Sequence, residues 1–163
     1  MSQLIIAQLG NPAALDGWNW TATSEQDILA HVQESLLHYD REAQLQPLLA
    51  ESLEMRSPTE WILRIRKGVK FHEPELGTLT AEDVKASVAA NLRQGTSHTV
   101  RMPAVMREGT VTGLDPYTIF WQLKEPGLVT LGPWLTDMYI TSRKYLERVG
   151  LDAAAADRPA EHG

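Results

Sequence analysis

The sequence predicts an α/β (α+β) fold in which helices pack on a mixed sheet. Two capping-box patterns, at residues 24–27 and 80–83, each precede apolar residues at helical spacing. Short apolar or alternating runs at 3–9, 60–66 and 117–124 are typical of strands. These helix and strand signals follow one another without the regular βαβ rhythm of a parallel sheet, and no internal repeat occurs.

The helices follow from apolar spacing and capping residues. The four-residue spacing behind Ser24 predicts a helix over 24–38, and the same spacing behind Thr80 predicts one over 81–92. A capped helix is expected from Ser142 to Val149. Short helices are expected at 99–106, although Pro103 lies within it, and at 127–135.

The strands follow from alternation and turn residues. The apolar run at 3–9 predicts a buried strand that ends at the turn signal Gly10-Asn11-Pro12. Residues 41–58 predict a turn, a short helical turn and a strand near 52–56, and 60–66 predicts the second arm of a hairpin. Strands near 108–113 and 117–124 flank an Asp-Pro turn, and a brief strand is expected at 138–140.

Composition limits the possible functions. The chain has 163 residues, 43% of them hydrophobic, and a formal net charge of −6, so we expect one globular domain, or one domain with an appendage, and no nucleic-acid partner. The absence of cysteine excludes disulfides, thiolate zinc sites and cysteine nucleophiles. No apolar run approaches the ~20 residues of a spanning helix. Met1-Ser2-Gln3 shows no signal peptide, so we expect either a cytoplasmic protein or an export signal outside this sequence.

The sequence contains few candidates for catalytic or metal-ligating residues. The glycines of Gly109–Gly113 lack the Lys-Ser/Thr that completes a phosphate-binding loop, so a strand is favoured there. His31 and His38 are about 10 Å apart along a helix, too far to share one metal ion. His72 beside Glu73 and Glu75 could form a carboxylate–imidazole cluster, although a solvated loop is the favoured interpretation. We therefore predict no catalytic residue, no cofactor and no metal.

Tryptophans and a basic run complete the candidates. Trp18 and Trp20 lie in a predicted loop, where facing a ligand and packing on the neighbouring helix are equally favoured. Trp61 and Trp121 are expected in the core, and Trp134 is undecided between core and ligand site. The basic run Arg64, Arg66, Lys67 and Lys70 favours a solvated edge that discourages sheet aggregation.

Several stretches carry a family resemblance in the same order along the chain. Residues 61–84 contain Arg-Lys-Gly-Val-Lys-Phe-His followed by Leu-Thr-Ala-Glu-Asp-Val, and residues 117–126 read Tyr-Thr-Ile-Phe-Trp-Gln-Leu-Lys-Glu-Pro. Upstream, residues 12–16, 34–37 and 49–52 also match. Together they resemble the bacterial extracellular solute-binding proteins of family 5, the peptide-, dipeptide- and nickel-type receptors of ABC importers. Gly17 replaces a family proline, and residues 72–77 form a longer loop than the family's His-Asp-Gly turn.

The resemblance implies part of lobe I of a two-lobed periplasmic-binding-protein-like fold. Residues 1–40 would be the first segment of lobe I, 41–150 its inserted small subdomain and 151–163 a mobile tail, because the tail has little to bury. The second lobe would lie outside this sequence.

The implied function is capture of a peptide-like or nickel-type solute and its delivery to an ABC permease, without chemistry on the solute. We expect a periplasmic or cell-surface protein whose signal or lipid anchor lies outside this sequence. The expected ligand-binding residues are Asn11, Pro12, Trp18, Trp20, Arg101, Trp134 and Asp137. The alternative is a ligand-sensing domain of a bacterial transcription regulator, and an unrelated hydrolase or metal enzyme is disfavoured by the missing motifs.

Overall fold

The computed structural model describes residues 5, 12, 15, 23–92, 108–126 and 131–151. Its helices are α1 (Thr23–Leu29), α2 (Ala81–Asn91), α3 (Leu131–Asp137) and α4 (Arg143–Arg148), with a 3₁₀ turn at Pro74–Leu76. Its strands are β1 (Leu37–Tyr39), β2 (Leu45–Pro47), β3 (Ala50–Ser57), β4 (Glu60–Ile65), β5 (Thr110–Asp115) and β6 (Thr118–Gln122). The predicted strand at 3–9, apart from Ile5, the predicted helix at 99–106 and the tail after residue 151 lie outside the described residues.

A four-stranded sheet with the order β3-β4-β6-β5 forms the frame, and every pairing described in it is antiparallel. The predicted hairpin is confirmed, with Leu53 opposite Leu63. The predicted Asp-Pro turn joins β5 to β6, where the Asp115 carboxylate accepts the backbone N–H of Tyr117. β1 and β2 form a separate antiparallel pair.

One face of the sheet carries the core. Leu63, Ile65, Ile119 and Trp121 alternate along β4 and β6 and are almost completely buried, whereas Arg64 between them is exposed. Helix α2 contributes Val84 and Val88 to the same apolar cluster. The period-two pattern of the sequence therefore marked the inner face of the sheet correctly.

The Asp83 carboxylate joins the starts of two helices. Its Oδ2 accepts the backbone N–H and the hydroxyl of Thr80, both at 2.8 Å, in the predicted capping box of α2. Its Oδ1 accepts the backbone N–H of Arg143, the first residue of α4, at 2.9 Å. Helix α4 occurs close to its predicted bounds, but the Ser142 hydroxyl makes no capping bond; the Asp83 carboxylate accepts the first amide of the helix.

The predicted helix at 24–38 is wrong beyond Leu29, where α1 ends. The backbone carbonyls that would continue it accept long-range hydrogen bonds. The carbonyl of Glu34 accepts the N–H of Ile140, and that of Leu36 accepts the N–H groups of Leu48 and Ala50. Leu36, in the bend before β1, and Leu37, the first residue of β1, are almost completely buried, so tertiary contacts override the helical spacing here.

The structure differs from the sequence prediction at three smaller places. The short helical turn expected between 41 and 51 is wrong, because this segment forms β2 and pairs with β1. The helix expected at 127–135 occupies 131–137, and residues 127–130 lie outside the described part. The brief strand at 138–140 is reduced to one bridge between Ser35 and Tyr139.

Among the residues described, no helix is both long enough and apolar enough to span a bilayer.

Candidate functional site

The structure describes three of the seven predicted ligand-binding residues. Asn11, Trp18, Trp20 and Arg101 lie outside the described residues. Pro12 is exposed. Trp134 and Asp137 lie at opposite ends of one turn of α3, and their surroundings differ.

Trp134 lies in the core. It is 8% exposed, and its ring packs edge-on against Trp121 with the ring centroids 5.5 Å apart. This geometry is the favoured one for an aromatic pair. The position favours a packing role for Trp134 over the ligand contact that the resemblance predicts.

Asp137 opens onto a surface cavity of about 430 Å³, here called the Asp137 cavity. Its walls come from α1, the segment that follows it, and the end of α3. The lining residues are Gln26, Asp27, Ala30, Gln33, Glu34, Ser35, His38, Tyr39, Leu48, Thr136, Asp137 and Tyr139. Its volume falls within the range of small-molecule sites.

Hydrogen bonds fix the Asp137 carboxylate in the cavity wall. Its Oδ1 accepts the side-chain amide of Gln26 at 3.2 Å and lies 3.4 Å from the hydroxyl of Thr136. The Gln26 contact joins α1 to α3 across 111 positions of sequence. The carboxylate is therefore held by the fold, as a recognition group must be.

Tyr139 forms a second contact between the same parts of the chain. Its hydroxyl donates to the backbone carbonyl of Gln26 at 3.3 Å, and its side chain packs with Leu29. Burial raises the pKa of Tyr139 to about 12, with smaller contributions from the carboxylates of Asp137 and Asp27. The phenol therefore stays neutral at physiological pH.

The ionisable groups of the cavity are predominantly acidic. Among the lining residues, Asp27, Glu34 and Asp137 contribute three carboxylates, and His38 contributes one imidazole. A concave surface with this balance attracts the positive end of a ligand, such as an ammonium group.

The His72 loop is held by structural contacts. His72 is exposed, and its Nε2 lies 3.0 Å from the carbonyl of Val32. Glu73 forms an ion pair with Arg148 at 3.0 Å. Within the described ranges no group of three or more His, Asp or Glu side chains is arranged to hold a metal ion.

Gln26, Thr136 and Tyr139 were not predicted as part of a site. Gln26 appeared only inside a capping-box pattern, and Tyr139 only inside a short apolar run. The partners of Gln26 and Tyr139 lie more than a hundred positions away, so no local pattern could have indicated these two residues.

Comparison with known families gives a match over most of the chain. The sequence model described as bacterial extracellular solute-binding proteins, family 5 Middle, matches residues 44–159. This chain belongs to that family. The match contains the motif stretches at 61–84 and 117–126 that carried the resemblance, so the recognition from sequence is confirmed.

Solved structures of solute-binding proteins share the fold. AgaA from A. tumefaciens R10, in complex with agropinic acid, is 24% identical with a TM-score of 0.74 over 94% of this chain and 30% of AgaA. The oligopeptide-binding protein AppA from Bacillus subtilis, with a nonapeptide, is 24% identical with a TM-score of 0.74 over 88% and 28%. DppA from Helicobacter pylori, with the peptide STSA, is 20% identical with a TM-score of 0.71 over 86% and 31%.

These likenesses confirm the predicted fold class as part of a periplasmic-binding-protein lobe. The chain spans less than a third of the length of each of these three structures. None of the curated proteins matches it.

Proposed function

We propose that this chain is part of lobe I of a receptor that captures a small solute and delivers it to an ABC importer. The family match over residues 44–159 carries this proposal. Peptide-like, opine and nickel-type solutes are the candidates. AgaA is described with agropinic acid, AppA with a nonapeptide and DppA with a short peptide, which supports the first two classes.

The proposed mechanism is binding without chemistry. The solute would sit between two lobes that close around it, and the closed form would dock on the permease. In this chain the Asp137 cavity would form part of the wall, with the Asp137 carboxylate facing the positive end of the solute. The loop residues Asn11, Trp18 and Trp20, with Arg101, would complete that wall.

The proposal includes the organisation and location inferred from the family. Residues 1–40 and 41–150 would form the first segment and the inserted subdomain of lobe I, followed by the tail at 151–163. The receptor would act in the periplasm or at the cell surface, secreted or attached by a lipid anchor. No finding favours the transcription-regulator alternative.

The wall formed by this chain should bind solute weakly by itself. A one-sided wall bears the cost of desolvating and ordering a ligand without enclosing it. Millimolar affinity is the order of magnitude we expect for a tripeptide on such a surface.

The test is a titration of the ¹⁵N-labelled chain with trialanine, followed by amide chemical shifts. We expect shifts at residues that line the Asp137 cavity, and their loss when the peptide is N-acetylated. The variant Asp137→Asn should lose binding while it keeps the Gln26 contact, because asparagine retains the Oδ1 acceptor. Glu125→Gln, an exposed acid outside the cavity, is the control and should bind like the parent chain.

Two results would count against the proposal. Equal shifts with the acetylated peptide would show that Asp137 does not recognise an ammonium group. Shifts confined to residues outside the cavity would place the solute site elsewhere. Micromolar or tighter binding would contradict the one-sided-wall argument instead.

A further inference from the structure

A second surface cavity, of about 450 Å³, shares part of its wall with the Asp137 cavity. Its lining comes from residues 30–34, the segment 69–79, residues 140–145 and Leu49. We call it the Lys70 cavity, after the one lysine in its lining. Its volume, like that of the first cavity, falls within the range of small-molecule sites.

Hydrogen bonds tie residues 30–34 to both other parts of this lining. The backbone carbonyl of Glu34 accepts the N–H of Ile140 at 2.9 Å. The ring nitrogen Nε2 of His72 lies 3.0 Å from the carbonyl of Val32. The cavity is therefore built into the fold, which is what a binding site requires.

The most buried residues of the lining are apolar, with one exception. Leu49, Leu79 and Ile140 are almost completely buried, and Phe71 is half-buried beside them in the list of lining residues. These side chains suit the apolar part of a ligand, because small-molecule pockets combine a mostly hydrophobic lining with a few polar groups. The exception is Ser142, which is 1% exposed.

Two polar atoms of the lining are buried without a hydrogen bond. The Ser142 hydroxyl and the Gln33 side-chain carbonyl Oε1 have no hydrogen-bond partner among the described residues. Buried polar groups in folded proteins are normally paired, and each exception calls for an explanation. A polar ligand in the cavity would supply the missing partners, since the hydroxyl can donate or accept and the carbonyl can accept.

Two opposite charges in the lining are also unpaired. Lys70 and Glu34 are exposed, and neither forms an ion pair with a described residue. Glu73, the other carboxylate of the lining, pairs with Arg148 at 3.0 Å. The segments that carry Lys70 and Glu34 are the two that the histidine hydrogen bond joins. The fold therefore presents one free ammonium and one free carboxylate to the same cavity.

We propose that the Lys70 cavity binds a small zwitterion with an apolar side chain, the chemistry of a free aliphatic or aromatic α-amino acid. The carboxylate of the ligand pairs with Lys70, and its ammonium pairs with Glu34 and donates to the Gln33 carbonyl. Its side chain packs on the apolar lining, and the Ser142 hydroxyl bonds to one of its polar groups. A ligand with a single charge would leave Lys70 or Glu34 unpaired. This inference does not depend on the proposed receptor function.

The test titrates the ¹⁵N-labelled chain with L-leucine and follows amide chemical shifts. We expect saturable shifts at residues that line this cavity but not the Asp137 cavity, such as Phe71 and Thr141. N-acetyl-L-leucine lacks the ammonium, L-leucinamide lacks the carboxylate and glycine lacks the side chain. Each should bind about tenfold more weakly or worse, the usual effect of losing a charge-assisted hydrogen bond or a buried aliphatic side chain.

Two variants test the residues. Lys70→Gln should weaken leucine binding about tenfold, whereas the control Arg64→Gln, at an exposed base outside the cavity, should leave it unchanged. Ser142→Ala should weaken leucine binding without lowering the stability of the unliganded chain, because its hydroxyl has no described partner to lose. A merely structural hydroxyl would give the opposite result, lower stability with unchanged binding. Circular dichroism and urea unfolding check the fold and stability of each variant.

Several results would overturn the proposal. These are the absence of saturable shifts up to about 50 mM L-leucine, binding of any of the three analogues as tight as that of leucine, and equal binding by the Lys70→Gln and Arg64→Gln variants. Shifts confined to residues that line only the Asp137 cavity, such as His38 and Thr136, would also overturn it. Asp137→Asn should leave leucine binding unchanged, and Lys70→Gln should leave trialanine binding unchanged, so either proposal can fail without the other.

Discussion

Replacing Asp83 with alanine should destabilise the fold far more than replacing Glu82, its acidic neighbour in the first turn of α2. Asp83 is 7% exposed, and its carboxylate accepts three hydrogen bonds, two from Thr80 and one from the Arg143 amide. Loss of a helix cap costs about 1 kcal/mol. Leaving the part-buried Arg143 amide without its acceptor costs about 1–3 kcal/mol more. The expected decrease in unfolding free energy is therefore about 3 kcal/mol.

Urea unfolding followed by circular dichroism and tryptophan fluorescence measures this loss, which corresponds to about 6–12 °C in Tm for a chain of this size. The matched control is Glu82→Ala, one position earlier. Glu82 is exposed, and its one ion pair among the described residues is with Lys85, at 3.3 Å, so its loss should cost less than about 1 kcal/mol. Asp83→Asn should fall between the two, because it keeps one acceptor and replaces the other with a donor.

A decrease below about 0.5 kcal/mol for Asp83→Ala would refute this reasoning. An equal decrease for Glu82→Ala would also refute it, because the loss would then reflect the acidity of the first turn. The bond to α4 would have no separate role in that case.

Three other predictions concern pH and packing. Spectrophotometric titration of tyrosine should show Tyr139 ionising near pH 12. The free energy of unfolding should fall as the pH rises from about 10 through 12, because the Tyr139 phenol ionises readily in that range only in the unfolded chain. A titration midpoint near pH 10 for Tyr139 would contradict its burial. Hydrogen bonds from the Gln44 backbone N–H and then from the Gln46 side chain lower the pKa of Asp40 in the folded chain, so the stability that this carboxylate contributes should be present above its unfolded pKa and be lost as the pH falls through its folded pKa. A carboxyl NMR midpoint at or above 3.8 for Asp40 would be inconsistent with those bonds. Trp121→Ala should lower the unfolding free energy by about 3–5 kcal/mol in urea, and an unchanged midpoint would show that the indole is not part of the core.

Elements with local determinants were predictable from the sequence. The capping box of α2 and the alternation of β4 and β6 act over a few residues, and each occurs in the structure close to its predicted bounds. The end of α1 was not predictable. The apolar spacing continues through Leu36, and the chain leaves the helix because distant amides of Leu48 and Ile140 bond to this segment.

The candidate site shows the same division. The family resemblance indicated Asp137, which lines the cavity. Gln26 and Tyr139 meet only after residues separated by more than a hundred positions come together. A spacing rule that covers one helix or one hairpin cannot predict that Gln26 and Tyr139 lie side by side.

The contacts of Glu34 and Ser35 with Ile140 and Tyr139 have an architectural consequence. Because the chain returns to the place where it departed, residues 36–138 form a closed excursion whose two ends are neighbours. The four-stranded sheet lies within this excursion, so its two connections to residues 23–35 and 139–151 leave from one place in the structure. Circular permutation should be tolerated better at an exposed turn inside it, such as that at residues 67–68, than at the junction where its ends meet.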